Sequence, residues 1–524
     1  MSTILQRLAR WARDLTPSDL PPSVLLRARL QHLSTAGAIR AVRARPVASA
    51  LAKVSRGGGK TPRVVGGSTS LREAVRTHAG LASWLSYDDT LFLANTSPGA
   101  VSAAWAAAEG HTLGELLTAT VVGNEIAGRV GASLLIGPAQ GPANAVVHAV
   151  ASAAALGWLQ GLDAPELAHA LALSMAVPPT GTWHAALGGG MGRALLAANP
   201  AVAGVDAVAQ AAAGVKGSLD LLDARDGLMG ALSWVPLRSA FTGLGTAWLT
   251  ETLAFSLVPA TLWHQVPIQA VAEILRRHVK ASDKRLRVDQ LERVEINTGA
   301  FGWALEQRVG LHPGLDPATV PMSLRRSVGA LMVANELGPD QLEEDWLNKH
   351  RDEISEVARR VDVSHDWRHT LGLVDHLVDV LSPLLAGVTP AELVAASQMA
   401  KASFGVSLPR PGAAELLSVV AARPDRLLER LRHASGDLSH ARLREWQFQH
   451  AADVKLYTTR GGSWPESRAL AEGSPGWPWD QTVARVLRKY AGAGGAEDEA
   501  RAGDLMGSAV DAAGGAWVHA LFGQ

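Results

Sequence analysis

Residues able to do chemistry are concentrated in a few short stretches of this sequence. Residues 85–100 read LSYDDTLFLANTSPGA: two adjacent carboxylates, Asp88 and Asp89, then Thr90, then a Ser-Pro-Gly turn that opens an alanine-rich run. On an extended chain adjacent side chains diverge, so one carboxylate can serve a site while the other serves a helix N-terminus or an arginine. Held away from water, either is a candidate general acid or base. Left in water, the pair reads as an acidic cap before the helix that Pro98 starts. In TGTWHAALGGGMGR, Trp183 and His184 precede a glycine run where backbone can approach a ligand closely, and Arg193 ends it. An arginine can clamp a carboxylate bidentately but cannot give and recover a proton at neutral pH. ATLWHQVP adds a second imidazole, His264, beside Trp263, and MSLRRS carries Arg325 and Arg326, which also fit a solvated basic pair.

The elements that must position these groups are mostly helical. At 524 residues and 54.9 kDa, with 47% hydrophobic and 19% charged residues, the chain is long enough for two or more domains with large cores. A net charge of +0 and a pI near 7.4 leave no field to attract nucleic acid or an anionic membrane. Without cysteine there is no disulfide, thiolate nucleophile or cysteine-bound metal, which fits a reducing compartment; the cytoplasm is the expected location. The N-terminal stretch is an amphipathic helix pattern with Arg7, Arg10 and Arg13 and no secretory h-region. The most membrane-like run, residues 143–162, is mainly alanine and carries Asn144, His148 and Gln160, so it reads as a buried helix. Residues 20–254 follow helical periodicity broken at Gly and Pro clusters. Strand-like alternation then enters in LRVDQLERVEINTG, VARRVDV and ADVKLYTTRGG. The expected organisation is mainly α. Residues 1–265 form an all-helical domain, residues 266–475 an inserted α/β lid with a helical insertion near 374–440, and residues 476–524 a helical return. A cleft at the seam would hold the ligand.

Several stretches, in order, resemble the family of 2-methylcitrate dehydratase, cis-aconitate decarboxylase and iminodisuccinate epimerase (MmgE/PrpD). SYDDTLFLANTSPGAVSAAWAAAEG resembles its Asp-x-Asp-Asp-Thr and His-Pro-Gly segment, and GELLTATVVGNEIAGRVG its helix with Glu125 and Arg129 one turn apart. GVDAVAQAAAGVKG, LGTAWLTETLAFSLVPATLWHQVPIQAVAEIL and DVKLYTTRGGSWPESRALAEGSPGWPWDQTVARVLRKYA resemble the hinge, lid-entry and closing segments, so the likeness spans roughly residues 20 to 490. The resemblance implies an all-helical domain with an α/β lid, a homodimer, a small-molecule substrate, and cofactor-free proton abstraction next to a carboxylate. It places Asp88, Asp89 and Thr90 at the site, Arg193 near a family lysine and Arg326 on a lid segment facing it; beside these, His184 and His264 are the candidate imidazoles, and Trp183 and Trp263, with Ser97, Ser256 and Thr261 at the substituted positions, are expected around the substrate. This sequence departs from the family pattern at Ser86 for the first Asp, at Ser97 (or Thr96) for the motif histidine, at Ser256 for the lid-entry lysine and at Thr261 for a His or Cys. A second family lysine falls near Arg193. Fewer cations and imidazoles imply a substrate less anionic than citrate-like acids.

A rival motif lies in HDWRHTLGLVDH, which resembles the metzincin zinc signature with His365, His369 and Asp375 as ligands. Its general-base position is Asp366, one methylene short, and the surrounding pattern lacks the sheet such proteases use. The sequence therefore carries three readings: a cofactor-independent lyase, isomerase or cyclase with no metal; a non-catalytic homologue acting as a binding or scaffold subunit; and a metal-dependent hydrolase.

Overall fold

The computed structural model describes residues 2–523 apart from 56–57, 93, 138–143, 180–181, 311–313, 386–387, 390, 393–394, 397, 400–408 and 410–437. The chain is 61% helix and 8% strand, a mainly α protein. Most of the 374–440 stretch expected to be helical lies outside the described residues; its start continues the helix Trp367–Leu381 and its end opens the helix His440–Glu445.

Small side chains build the body. Helices α1 (Ile4–Asp14), α2 (Pro22–Arg40), α3 (Pro46–Val54), α4 (Leu71–Ser83), α5 (Ser97–Ala106), α6 (Leu113–Ser133), α7 (Asn144–Leu159), α8 (Ala164–Ala176), α9 (Trp183–Leu187) and α10 (Leu195–Ala212) follow one another. Their starts are written in the sequence: Thr3, Thr112 and Asp163 each form a capping box with the residue three further on. Alanine and valine make α7 almost wholly buried among α5, α6, α8 and α10, as expected for a helix that is apolar all round. The described segment long and apolar enough to cross a membrane is Met191–Ala212 rather than 143–162, and 61% of its most apolar stretch is buried.

Past α10 the chain is threaded back to the body by a buried ion pair. Arg129 binds Glu125 one turn earlier and the Ala247 carbonyl at 2.8 Å, while Glu125 accepts from the amides of Leu249 (2.9 Å) and Thr250 (2.8 Å). This anchors strand β4 (Leu253–Ala254) beside β3 (Thr90–Leu91), antiparallel with Thr90 opposite Ala254; β1 (Thr61–Pro62) and β2 (Ser68–Thr69) form a separate small hairpin.

A four-stranded sheet follows, in the order β6 (Val361–His365), β5 (Leu291–Thr298), β7 (Ala452–Thr458), β8 (Ser463–Arg468), with β5 and β6 parallel and the other pairs antiparallel. The inward residues Val294, Ile296, Val361, Val363, Val454 and Leu456 form a core with Ile268, Val271 and Ile274 of helix Gln265–Ser282 and with Leu324 and Val328 of helix Leu324–Ala334. This sheet core is distinct from the body core, which nevertheless takes in Ala318, Val320, Leu347 and Phe448. The three strands foreseen from Val and Ile alternation are present. Strand β8, SWPESR, has no apolar alternation; it is held by pairing with β7, and Pro465 is tolerated because the strand is at the edge.

Candidate active site

Asp88 and Asp89 sit on a short irregular segment with a bend at Asp88, bracketed by two non-glycine residues in the left-handed region, Ser86 (φ 50°) and Phe92 (φ 47°). Such conformations persist where the surroundings enforce them, and they recur at functional sites. Both carboxylates are buried, Asp88 at 7% and Asp89 at 0% exposure. They do not cap the following helix, whose N-cap is Thr96. The two carboxylates meet different partners. Asp89 Oδ1 accepts from Ser34 Oγ at 2.7 Å and the Ser256 amide at 3.2 Å, and lies 3.6 Å from Lys489 Nζ. Asp88 feels Arg193, and its backbone carbonyl accepts from Ser256 Oγ at 2.9 Å. Burial pushes the Asp88 carboxyl up to about 7, against its own backbone N–H and Arg193. Burial pushes Asp89 up as well, opposed by Lys489, Ser34 and the Ser256 amide.

Arg193 enters from the short turn between α9 and α10. It donates to the carbonyls of Trp84 (3.5 Å) and Ala318 (2.9 Å) and to Ser86 Oγ, the residue standing where the family motif has its first aspartate. Burial pulls the guanidinium down to about 10, with Asp88 and Asp316 opposing. The glycine run before it approaches closely, but to a loop of this chain: a Cβ on Gly189 (φ +80°) would lie 2.3 Å from Asp316 Oδ2, and Asp316 Oδ1 accepts from the Gly190 amide at 3.4 Å. Arg326 is half-buried near Glu306 and Asp316; burial lowers it and those two acids oppose.

Thr90 is buried and lies with Phe92, Leu262, Trp446 and Phe448, packed together with no room for a water between them. An aromatic row closes the seam here. Phe92 meets Trp446 (5.5 Å between centroids), Trp446 meets Phe448 (5.2 Å), Phe448 meets His450 (4.8 Å), and Trp263 stacks on Phe301 (4.6 Å, 15°) while standing edge-on to His450 (6.2 Å). Burial takes both His264 and His450 down to about 4. Neither ring nitrogen of His264 makes a hydrogen bond of good geometry, and Thr261 Oγ1 is likewise buried without one. The Thr261 amide donates to the Pro321 carbonyl at 3.1 Å.

Some expected site residues are elsewhere. His184 is exposed on α9, and the side chain of Trp183 lies outside the described residues. Ser97 Oγ accepts from Gln31 Nε2 at 2.9 Å, in a buried network with Thr96 and Asn124 rather than beside the aspartates. The zinc alternative does not assemble from the residues its motif names. His365 ends strand β6 and shares a hydrogen bond with Thr370 Oγ1 at 2.8 Å, the helix begins only at Trp367, and Asp375 is exposed, so the two imidazoles are not one helical turn apart. His369 instead groups with Asp366 and Asp453, and Arg368 bridges those two carboxylates at 2.6 and 3.1 Å, supplying the positive charge itself.

Lys489 and His450 were not anticipated. Lys489 has a legible signal, since Thr482, Val486 and Lys489 fall on the buried stripe of the amphipathic helix Trp479–Ala491, where a lysine is out of phase. Ser256, expected at the substrate, binds Asp89 and the Asp88 backbone, and Arg193, also expected there, acts on Asp88 through its charge. Together the buried groups can hold and exchange protons beside a fixed guanidinium. Among proteins of known family, residues 6–236 match the model of the MmgE/PrpD N-terminal domain. No curated protein matches the chain.

Proposed function

Through residues 6–236 this chain belongs to the MmgE/PrpD family, and from that premise we propose that it is a lyase or isomerase-type enzyme. Family membership supports a dehydratase-like role. In the proposed reaction a proton is removed beside a carboxyl or acyl group of a small or medium organic acid, followed by elimination or ring closure. The substrate carries fewer carboxylates than citrate-like acids, and the protein works as a cytoplasmic homodimer. One observation carries this reading: a buried carboxyl, Asp88, poised near neutral beside the Arg193 guanidinium. A carboxyl in that range can both take and return a proton at physiological pH, and a neighbouring cation can stabilise the developing enolate charge. Asp88 is the acid or base and Arg193 the cation that acts on it.

The test is a panel of hydroxy, unsaturated and acyl acids incubated with protein in deuterated water and read by mass spectrometry. Deuterium gain, water loss or an isomer is expected with the wild type, falling roughly 100-fold or more in Asp88→Asn. An unreactive panel, or an Asp88→Asn variant as active as the wild type, would sink the reading.

A second reading has its own observation. Three of the five N–H donors of Arg193 are already taken by Trp84, Ala318 and Ser86, which suits a non-catalytic homologue kept as a binding or scaffold subunit. Under that reading the panel acids bind without conversion.

A further inference from the structure

Lys489 reaches the carboxylates from the last third of the chain, and its hydrogen bonds assign its charge. Nζ lies 2.6 Å from the Tyr87 carbonyl, 2.9 Å from the Ser256 carbonyl and 2.8 Å from Ser34 Oγ. Two of these partners are carbonyl oxygens, with no hydrogen to give. The third, Ser34 Oγ, spends its hydrogen on Asp89 Oδ1 at 2.7 Å. With Asp89 ionised, all three bonds are donated by the lysine, and only the ammonium has three hydrogens. The Tyr87 ring lies beneath it at 4.1 Å, a further stabilisation of positive charge.

A cation so enclosed, with 1% of its side chain exposed, needs an anion beside it. Asp89, 3.6 Å away and itself fully buried, is the carboxylate in position. None of the three hydrogens goes to Asp88, and none is left for a substrate.

We propose that Lys489 is a positioning residue of this site. Through Ser34 and the carbonyls of Tyr87 and Ser256 it fixes Asp89 as the resident anion, leaving Asp88 as the carboxyl that exchanges protons with the substrate. This rests on the proton-transfer reading above. It adds that the two adjacent aspartates have different tasks and that the division is made by a helix distant in sequence. Ser256 joins the two halves: its carbonyl receives Lys489, its amide binds Asp89, and its hydroxyl holds the Asp88 backbone.

The experiment follows the side-chain carboxyl carbons of labelled aspartate by NMR in the full chain, with the two resonances assigned by Asp88→Asn and Asp89→Asn. In the wild type, Asp89 should keep the shift of an ionised carboxylate between about pH 5 and 8 while Asp88 titrates within that range. In Lys489→Met the Asp89 midpoint should rise by roughly 1–3 units, and Lys489→Arg should restore an ionised Asp89. An Asp89 protonated at neutral pH in the wild type, or one still ionised throughout in Lys489→Met, overturns the proposal. Should Lys489→Met fail to fold, Ser34→Ala supplies the second arm. It should raise the Asp89 midpoint by about one unit, and an unmoved midpoint counts against the proposal. These titrations need no turnover. If they come out as stated while the deuterium panel stays blank, the enzymatic reading falls and the charge assignment stands; if the panel reacts while Asp89 ignores Lys489, the reverse holds.

Discussion

Asp88 is the residue on which pH acts most directly. Its carboxyl is pushed up to about 7 in the fold from the ordinary aspartate value of 3.8, because burial disfavours the charge. Between those values the folded state holds a proton that the unfolded chain has released. The favourable contribution is thus complete below about pH 4 and is lost as pH rises toward 7. Asp88→Asn cannot suffer that loss. Relative to the wild type it should gain on the order of 2 kcal/mol between about pH 4 and 7, read by urea unfolding at a series of pH values. A difference that does not vary with pH would mean that Asp88 does not titrate in the folded protein. The neighbouring Asp89 was legible as a carboxylate near a site, but its partner was not. Nothing in SYDDT points to a lysine near the other end of the chain, because pairing of that range is set by how the return helix packs.

At the scale of elements, that packing depends on one close contact. A Cβ on Gly37 of α2 would lie 2.9 Å from the Lys489 carbonyl oxygen, which is backbone and cannot turn aside. Gly37→Ala gains up to about 1 kcal/mol of helix propensity but must push helix Trp479–Ala491 away, at a cost of roughly 1–3 kcal/mol. Net destabilisation is expected by chemical denaturation, together with a rise of the Asp89 midpoint as Lys489 withdraws. A variant more stable than the wild type would show that the two helices tolerate separation. Element types were readable where one physical pattern dominated: helical periodicity broken at Gly and Pro marked the body, and Val and Ile alternation marked β5, β6 and β7. Strand β8 was not readable, since its polar residues and Pro465 are accommodated only by an existing neighbour. The glycine run at 188–190 was read as room for a ligand, whereas Gly189 makes room for Asp316.

Over the whole molecule, burial of polar groups sets a common acid response. His32 is held down to about 3, and His78, His148, His264 and His450 to about 4, in each case chiefly by desolvation. Here the sign is opposite to that of Asp88. The unfolded chain binds protons the fold refuses, so the contribution of these imidazoles is intact above about pH 6.5 and is lost as pH falls toward 4. Asp88, Asp89 and Glu306, raised by burial, oppose this. Five groups against three give a net loss, and the melting temperature should fall steadily from about pH 6.5 to 4.5; a flat or rising profile would contradict the buried neutral state of the rings. The mainly α character was legible from composition and periodicity. The joining of the sheet unit to the body core through Val320, Leu347 and Phe448 was not, because it depends on which apolar faces meet.

The placement of Lys489 also bears on biosynthesis. Asp88 and Asp89 leave the ribosome 400 residues before the lysine that neutralises one of them, so the helical body can collect its apolar contacts early while Asp89 waits for its counter-ion until residue 489 has been made.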